Sequence, residues 1–390
     1  MDFVLSDEQK MIADTARNVG ERFSQNYWRE HDSNKRFPAE FWTAVCHAGL
    51  CGVALPEKYG GSGLGMLEMA LIVENLAAAA GGSTVGQLFM INPIFGGVSI
   101  SRFGTEEMKA DLLPKIISGE INCCMALTEP DAGSNSLAIK TFAAPDGNGW
   151  RLNGRKIWIT GVDVSKKMLV IARTTKPEEV TRKTDGISMF MIDVEREGLT
   201  YSPIEKLGTN TLSSCSIFFD NVRVDASELV GTVDGGWREL LDVLNTERIV
   251  TTAGLVGAAE LALKQAAEYA NGRKVFAERP IATYQAIQFP LAQAYAEVEC
   301  ARLMNYKAAS LFDHRLPYGA EANIGKLIAA RSTMAAIEHA MQTLGGMGYA
   351  KETHLERLWR DARLFCFAPV SEEMILNFIA TQNLGLARSY

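Results

Sequence analysis

The chain has 390 residues, of which 47% are hydrophobic and 22% are charged, enough for two or three domains with buried cores. Its formal net charge is -7 and its lysines and arginines do not cluster, which argues against a nucleic-acid or anionic-membrane surface. We therefore expect a small-molecule partner and no binding to nucleic acid.

Targeting and metal signals are equally sparse in the sequence. No apolar run reaches the roughly 18 residues that a membrane-spanning helix requires, so we expect no membrane insertion. No basic segment leads into an apolar one near the N-terminus, so we expect no secretory signal. The seven cysteines are odd in number and lack the short paired spacings of zinc or redox sites. We predict reduced thiols, no metal site and a cytoplasmic location.

Hydrophobic periodicity separates the chain into three parts. Apolar residues recur at helical spacing from about residue 6 to residue 119, and Thr105 is predicted to cap a helix there. The period changes to two in the middle third, and long helical patterns return from about residue 236. We predict three domains, at residues 1–121, 122–233 and 234–390.

The middle third carries several strand signals. Period-two runs predict strands near residues 168–173, 187–194 and 216–219. Within residues 150–158, the pair Asn153-Gly154 predicts a hairpin turn, because both residues accept positive φ angles. This third is therefore expected to be a β module between two helical blocks.

Residues 126–135 (ALTEPDAGSN) form a polar turn after a short apolar run. Their hydroxyls and backbone amides could grip a polar ligand, although such a turn taken alone is more often an ordinary loop. Two further segments, residues 156–161 (KIWITG) and residues 342–349 (QTLGGMGY), follow in the chain. Residues 357–363 (RLWRDAR) come shortly after the second of them.

These segments, in this order, resemble the signatures of the acyl-CoA dehydrogenase family, and the resemblance spans nearly the whole chain. It implies an α+β fold that is mainly α, with an N-terminal helical domain, a middle β-barrel-like domain and a C-terminal four-helix bundle. The helix-β-helix order obtained from periodicity agrees with it. The resemblance also implies FAD as cofactor, an acyl-CoA as substrate and electron-transfer flavoprotein as electron acceptor.

The resemblance assigns roles to residues of the first two segments. Leu127 and Thr128 would bond the pyrimidine edge of the flavin, and Trp158 and Thr160 would flank its ring near N5. Ser134 would touch the acyl-CoA. A flavin needs a flat apolar face and several donors, since the protein tunes its electron affinity through them.

In the family, a neighbouring subunit holds part of the FAD adenosine and pyrophosphate. An arginine suits a diphosphate, and glycines let backbone amides approach phosphate oxygens. The matching residues here are Arg273, Phe276, Gln342, Gly345 and Gly346. The resemblance therefore implies a homo-oligomer, a homotetramer as in the family. Val275 and Ala277 depart from the Thr and Gly that are common at their positions, so this corner is expected to hold FAD less tightly.

The family places its catalytic carboxylate in one of two positions. The first falls here on Pro369, which has no carboxylate, and the second falls on Glu247, within residues 244–250 (LNTERIV). Glu247 is therefore the candidate catalytic base, as in isovaleryl- and long-chain-type enzymes. Glu372 and Glu373 are weaker candidates, and we expect Ser371 and Glu373 to lie near the polar part of the cofactor.

Pro369 bears on the thioester site as well. In enzymes with Glu at that position, the backbone N–H of the residue binds the thioester oxygen, and proline has none. Loss of one such donor by mutation slows an enzyme by roughly two to three orders of magnitude. The Val370 N–H could substitute, the enzyme could be slow, or its substrate could depend less on this donor. The register could also differ by one residue. Arg248 and Val370 are the predicted substrate contacts beside Glu247.

Three functions remain open at this stage. The first is α,β-desaturation of an acyl-CoA, and the second is enoyl-CoA reduction, as in the crotonobetainyl-CoA reductase branch of the family. The third is a flavoprotein without acyl-CoA turnover, similar to the family's DNA-associated members, which the acidic charge disfavours. Residues 85–90 are expected near the acyl tail, although bulky Phe89 and Met90 are equally plausible as core residues.

Overall fold

The computed structural model describes residues 4–276 and 278–387, and its first part is helical as predicted. The predicted cap at Thr105 is confirmed, because its side chain accepts a hydrogen bond from the Met108 backbone N–H. Two wide helical turns, Ala77–Gly81 and Met90–Val98, interrupt the regular helices. The α-helices are α1 (Asp7–Glu21), α2 (Gln25–Ser33), α3 (Ala39–His47), α4 (Met66–Leu76), α5 (Thr84–Phe89), α6 (Ser99–Phe103) and α7 (Glu106–Ser118).

The middle part is a β-sheet with the strand order β6-β7-β3-β2-β4-β5-β8, and β1 pairs with β4 in parallel. Strand β4 is buried along nearly its whole length, whereas the second half of β7 alternates between buried and exposed residues. The strands are β1 (Cys123–Ala126), β2 (Phe142–Asp146), β3 (Gly149–Thr160), β4 (Lys167–Arg173), β5 (Ile187–Asp193), β6 (Leu199–Pro203), β7 (Ser214–Asp225) and β8 (Leu229–Val230).

The predicted hairpin turn at Asn153-Gly154 is wrong, because both residues lie inside the continuous strand β3. The register between β3 and β7 shifts between Leu152 and Gly154, so the pair marks a bulge. A Cβ atom on Gly154 would lie 2.5 Å from the Thr141 Oγ1 atom. Glycine is therefore needed here for a close approach between strands, which the sequence does not distinguish from a turn.

The last part is helical again, as predicted. Two pairs of residues show how α8 and α10 are oriented. The charge of Lys326 on α10 acts on Glu247 of α8, and two turns further along both helices the Thr333 hydroxyl of α10 donates to the Leu255 carbonyl of α8 at 3.0 Å. The two helices therefore run in parallel, with α9 packed against both. The elements are α8 (Gly236–Gly272), β9 (Lys274–Val275), β10 (Arg279–Pro280), α9 (Gln285–Asp313), α10 (Gly319–Leu344), α11 (Leu355–Arg363) and α12 (Glu372–Phe378).

Helix α11 joins the three parts of the molecule. Arg360 forms an ion pair with Asp32 of the N-terminal part at 2.7 Å, and it donates to the Leu207 carbonyl after β6 at 3.2 Å. Arg357, which is buried, donates to the Ala80 carbonyl at 3.0 Å. One short helix thus fixes the helical blocks and the β module relative to one another. We keep the division at residues 1–121, 122–233 and 234–390 as a proposal.

All the cysteines that the structure describes are free thiols, and most of them are buried. Burial raises the pKa of Cys123 to about 12, so this thiol stays protonated at neutral pH. Within residues 4–276 and 278–387, no helix combines the length and the apolar character that a bilayer crossing requires.

Candidate active site

Glu247 lies about three turns into α8 and is buried, with only 3% of its surface exposed. Its Oε2 atom has no hydrogen-bond partner among the described residues. Burial raises the pKa of this carboxyl to about 8, and the positive charges of Arg248 and Lys326 offset only part of that effect. A buried carboxyl group with a free oxygen and a pKa near neutrality can either take or give a proton.

Lys326 on α10 is a member of this site that the sequence did not single out. It is fully buried, and its Nζ atom donates to the Val370 carbonyl at 2.7 Å. Burial lowers the pKa of its ammonium group to about 8. The lysine thereby ties the chain around Val370 to the helix pair that carries Glu247. The available signal was a lysine within the apolar run at residues 322–330, because such a lysine must find a partner inside the protein.

The residues after Pro369 begin helix α12. The Ser371 hydroxyl accepts a hydrogen bond from the Met374 backbone N–H, which makes it the N-cap. Glu372 forms an ion pair with Arg331 at 2.9 Å, and Glu373 is exposed. Neither carboxylate is both buried and unpartnered as Glu247 is, so Glu247 stays our candidate base.

An open cleft of about 720 Å³ adjoins Arg248. Arg248 donates to the Asn245 side chain at 2.5 Å, and its buried Nε atom has no partner among the described residues. Asn245 also lines the cleft, together with Arg102 and Arg315. The cleft therefore opens on the N-terminal side of Glu247 along α8. Asp242 also lines it and pairs with Arg102 at 2.7 Å, so Arg315 supplies the remaining positive charge, which suits a phosphate group.

A buried ion pair fixes the polar loop at residues 126–135. The Glu129 carboxylate accepts from Lys156 at 2.9 Å and from the Thr141 backbone N–H at 2.9 Å, while Lys156 also donates to the Leu127 carbonyl at 2.7 Å. Burial lowers the pKa of Lys156 to about 8, although the negative charge of Glu129 opposes that effect. The first two motifs are therefore joined directly, with Thr128 accepting from the Ile157 backbone N–H at 2.9 Å.

Trp158 protrudes next to the contact between the polar loop and β3. It has a positive φ of 62° at an irregularity of the β3–β7 pairing, and 53% of its surface is exposed. Thr160, two residues on, places its Oγ1 atom 3.2 Å from the Ser214 hydroxyl. Leu127 is buried in the core that the N-terminal helices share with the first half of α8. An exposed aromatic face with hydroxyls nearby fits a flavin ring. Ser134 lies exposed on the same loop.

The remaining predicted residues lie at the opposite end of the helical bundle. Arg273 caps the C-terminus of α8 and is exposed, and Gln342 ends the parallel helix α10 on the same side. Glu247 and Arg273 are 26 residues apart on one helix, which at about 1.5 Å per residue is roughly 39 Å. That separation exceeds the length of an extended FAD molecule. The structure therefore does not bring these two groups together within one chain.

The far end nevertheless has the features that a phosphate group requires. Gly345 has a positive φ of 60°, and Cβ atoms built on Gly345 and Gly346 would meet nothing within 4 Å. The backbone of this turn is thus open to close approach by a ligand. Phe276, in the turn between β9 and β10, is 85% exposed. Ala277 lies outside the described residues.

Comparison with known proteins agrees with this arrangement. The acyl-CoA dehydrogenase N-terminal, middle and C-terminal domain families match residues 6–120, 124–222 and 234–384. The acyl-CoA dehydrogenase FadE12 of Mycobacterium tuberculosis is 39% identical over 100% of this chain and 99% of its own length. The 3-(aryl)acrylate reductase of Clostridium sporogenes is 33% identical over 97% of this chain and 99% of its own length.

A solved structure supports the same assignment. The glutaryl-coenzyme A dehydrogenase in complex with glutaryl-CoA has a TM-score of 0.94 and 31% sequence identity, covering 100% of this chain and 98% of that chain. The N-terminal and C-terminal helical parts, the central sheet and Glu247 all lie within the residues that the solved structure matches. The chain belongs to the acyl-CoA dehydrogenase family of FAD-dependent oxidoreductases, which act on the CH–CH group of acyl-CoA donors.

Proposed function

We propose that this protein desaturates an acyl-CoA thioester between Cα and Cβ, with Glu247 taking the α-proton as the β-hydrogen leaves as hydride. The observation that carries the proposal is the buried Glu247 carboxyl group, whose Oε2 atom has no partner among the described residues. A base that must reach a carbon acid cannot be engaged by another protein group. When bound, FAD supplies the hydride acceptor at its N5 atom.

The surrounding residues would bind and orient the substrate. The cleft beside Arg248 would receive the phosphate-bearing part of CoA, and Ser134 would contact it from the polar loop. Val370 would face the thioester, with its carbonyl group held by Lys326 at 2.7 Å. Because Pro369 has no N–H, the Val370 N–H is the donor that we assign to the thioester oxygen.

We further propose a homotetramer in which two subunits share each FAD. Leu127, Thr128, Trp158 and Thr160 of one subunit would hold the flavin ring. A neighbouring subunit would contribute the far-end residues, because roughly 39 Å along α8 separates Arg273 from Glu247, and the flavin ring must lie beside Glu247 and the substrate to accept the hydride. The ring of Phe276 is 85% exposed at this end, so it is free to contact a neighbouring subunit or its cofactor. The far-end set comprises Arg273, Phe276, Gln342, Gly345 and Gly346, and Ser371 and Glu373 would lie near the polar part of the cofactor.

Enoyl-CoA reduction is the second candidate, and one observation favours it. With a pKa of about 8, Glu247 is mostly protonated at pH 7 and so is ready to give a proton to the α-carbon. The similarity to a 3-(aryl)acrylate reductase points in the same direction. Electron-transfer flavoprotein would serve as electron acceptor in the oxidative direction. We place the protein in the cytoplasm, where free thiols such as those described persist.

An anaerobic titration separates these functions. Purified protein with FAD is mixed with saturated acyl-CoAs while the flavin absorbance is followed, and pre-reduced protein is mixed with 2-enoyl-CoAs. Bleaching by acyl-CoAs supports desaturation, whereas reoxidation by enoyl-CoAs without any bleaching supports reduction. Glu247→Gln is expected to slow either reaction by about 100-fold or more. Glu268→Gln, an exposed glutamate on the same helix, serves as the matched control. Wild-type bleaching by Glu247→Gln would remove Glu247 from the mechanism.

A further inference from the structure

Two polar stripes meet where α5 crosses α8. Ser83 and Gln87 are one helical turn apart on the α5 side, and Glu247 and Thr251 are one turn apart on α8. Gly86 lies between the stripes, because a Cβ atom on it would be 3.0 Å from the Val250 carbonyl oxygen and 3.6 Å from the Thr251 Cα atom. The polar stripe of α8 that contains Glu247 therefore continues toward Ser83 and Gln87. We call Ser83, Gln87 and Thr251 the polar lining.

The members of this lining are buried without hydrogen-bond partners. Ser83, Gln87 and Thr251 are only 1%, 2% and 1% exposed. The Ser83 Oγ, Gln87 Oε1 and Thr251 Oγ1 atoms have no partner anywhere in residues 4–276 and 278–387. Each such atom costs free energy in the folded protein, and native proteins keep few of them. Three such atoms along one helix crossing, of which Thr251 is one turn from Glu247, indicate a site that is completed by a ligand.

The lining is neutral, which limits the kind of ligand. Two hydroxyls and one amide can donate and accept hydrogen bonds, but they cannot balance a charge. Arg357 donates to Asp361 at 3.3 Å and to backbone carbonyl groups, although its Nε atom has no partner among the described residues. Arg248 and Lys326 are the cations on the Glu247 side, where their charges act on that carboxyl group. Since these cations are already engaged by Glu247, Asp361 and carbonyl groups, a second carboxylate on the ligand would be buried without a counter-charge of its own, which is strongly unfavourable. A hydroxyl or carbonyl group meets no such penalty.

The position of Thr251 relative to Glu247 indicates which carbon of the acyl chain carries the hydroxyl or carbonyl group. Asp242 and Asn245 line the open cleft on the N-terminal side of Glu247, and Thr251 lies on the opposite side. A thioester that enters from the cleft therefore directs its acyl chain toward Thr251. Thr251 lies about 6 Å beyond Glu247 along the helix, and an extended carbon chain advances only roughly 1.2 Å per bond. C6 therefore lies roughly 5 Å beyond the α-carbon, and an oxygen on C5 or C6 can reach Thr251 through a hydrogen bond of about 2.8 Å. The matching group is at C5 or C6 of the acyl chain.

We propose that the acyl pocket is specific for thioesters whose acyl chain carries a neutral hydrogen-bonding oxygen, a hydroxyl or carbonyl group, at C5 or C6. Ser83, Gln87 and Thr251 are the specificity-determining residues. The proposal rests on the acyl-CoA function given above. It distinguishes this pocket both from one for unsubstituted fatty acyl chains and from one for dicarboxylic acyl chains.

The test compares three probes of similar size: 5-oxohexanoyl-CoA, 5-methylhexanoyl-CoA and hexanedioyl-CoA. Each is mixed anaerobically with the FAD-bound protein, and the corresponding 2-enoyl-CoAs are used with reduced protein. We expect the oxo compound to react at least about tenfold faster, as kcat/KM, than its methyl isostere, and the dicarboxylic compound to react slowest. Equal rates for the first two would overturn this inference alone, whereas no reaction with any probe would overturn the acyl-CoA function as well.

A pair of variants provides a readout that does not depend on turnover. Thr251→Val removes an unpartnered hydroxyl, whereas Thr252→Val removes one that donates to the Arg248 carbonyl at 2.7 Å. In the ligand-free protein, Thr251→Val should raise the thermal midpoint and Thr252→Val should lower it. Thr251→Val should also reduce the oxo preference about tenfold, while Thr252→Val retains it. A lower midpoint for Thr251→Val would show that the protein already bonds this hydroxyl, and the inference would fail.

Discussion

Replacing the candidate base should make the protein more stable, and the size of the effect follows from its burial. Burial raises the pKa of Glu247 from 4.5 to about 8. The stabilising contribution of this group is fully present below pH 4.5, and it is lost as the pH rises through about 8, because the unfolded chain ionises first. Each pH unit in that window costs about 1.4 kcal/mol. At pH 7 the loss is about 3 kcal/mol, so Glu247→Gln, which cannot ionise, should gain about that much.

Urea unfolding of the flavin-free protein at several pH values measures this effect. The difference in unfolding free energy between Glu247→Gln and wild type should be small near pH 4.5, should widen with increasing pH, and should level off above about pH 8. Glu268→Gln, at an exposed position on the same helix, should stay within about 0.5 kcal/mol of wild type. A constant or shrinking difference would show that Glu247 is not held in a desolvated site, and the reasoning from burial would be refuted.

Three other predictions concern Glu247, the Lys156–Glu129 ion pair of the polar loop, and the Arg360–Asp32 ion pair between the helical parts. In the desaturation direction, the flavin bleaching rate should rise about tenfold per pH unit up to about pH 8 and then level off, because ionised Glu247 is the reactive form; a flat profile would contradict this. Lys156→Met should lower the flavin content per polypeptide by leaving a buried carboxylate unpaired, whereas Lys140→Met, at an exposed ion pair, should retain wild-type flavin content. Arg360→Met, which breaks the 2.7 Å pair with Asp32, should lower the unfolding free energy by about 3 kcal/mol in urea titrations; an unchanged midpoint would show that the joint is not stabilising.

Local signals in the sequence predicted most of the fold. The strands predicted near residues 168–173 and 187–194 are present as β4 and β5, although both are almost continuously buried, as in a covered sheet, and do not show the period of two from which they were predicted. The cap at Thr105 was predictable because capping depends on neighbours three residues away. The helical thirds followed from a period that each helix carries within itself. The same local character explains why Asn153-Gly154 was misjudged, since a turn and a bulge share their backbone requirements.

The site was only partly accessible to such reasoning. Glu247 could be proposed because the alternative position, Pro369, cannot ionise. Lys326 could not be connected to Val370 from sequence, because 44 residues separate the two atoms that bond. The unpartnered state of Ser83 and Thr251 is likewise a property of a helix crossing, and both residue types are common and unremarked in a sequence. Phe89, considered earlier for the acyl pocket, instead packs edge-on against Trp42 in the core.

Because α8 is long, mutations at its two ends would affect different active sites of the oligomer. If each FAD is shared as proposed, the base and the phosphate turn of one polypeptide serve different flavins. A chain with Glu247→Gln would then lack the base of one site, and a chain with a blocked Gly345 turn would lack the phosphate-binding part of another. Mixed in one oligomer, they would leave some sites with both halves intact, so two inactive proteins could restore activity to each other. Conversely, a subunit that folds normally but cannot grip phosphate would silence its neighbour rather than itself.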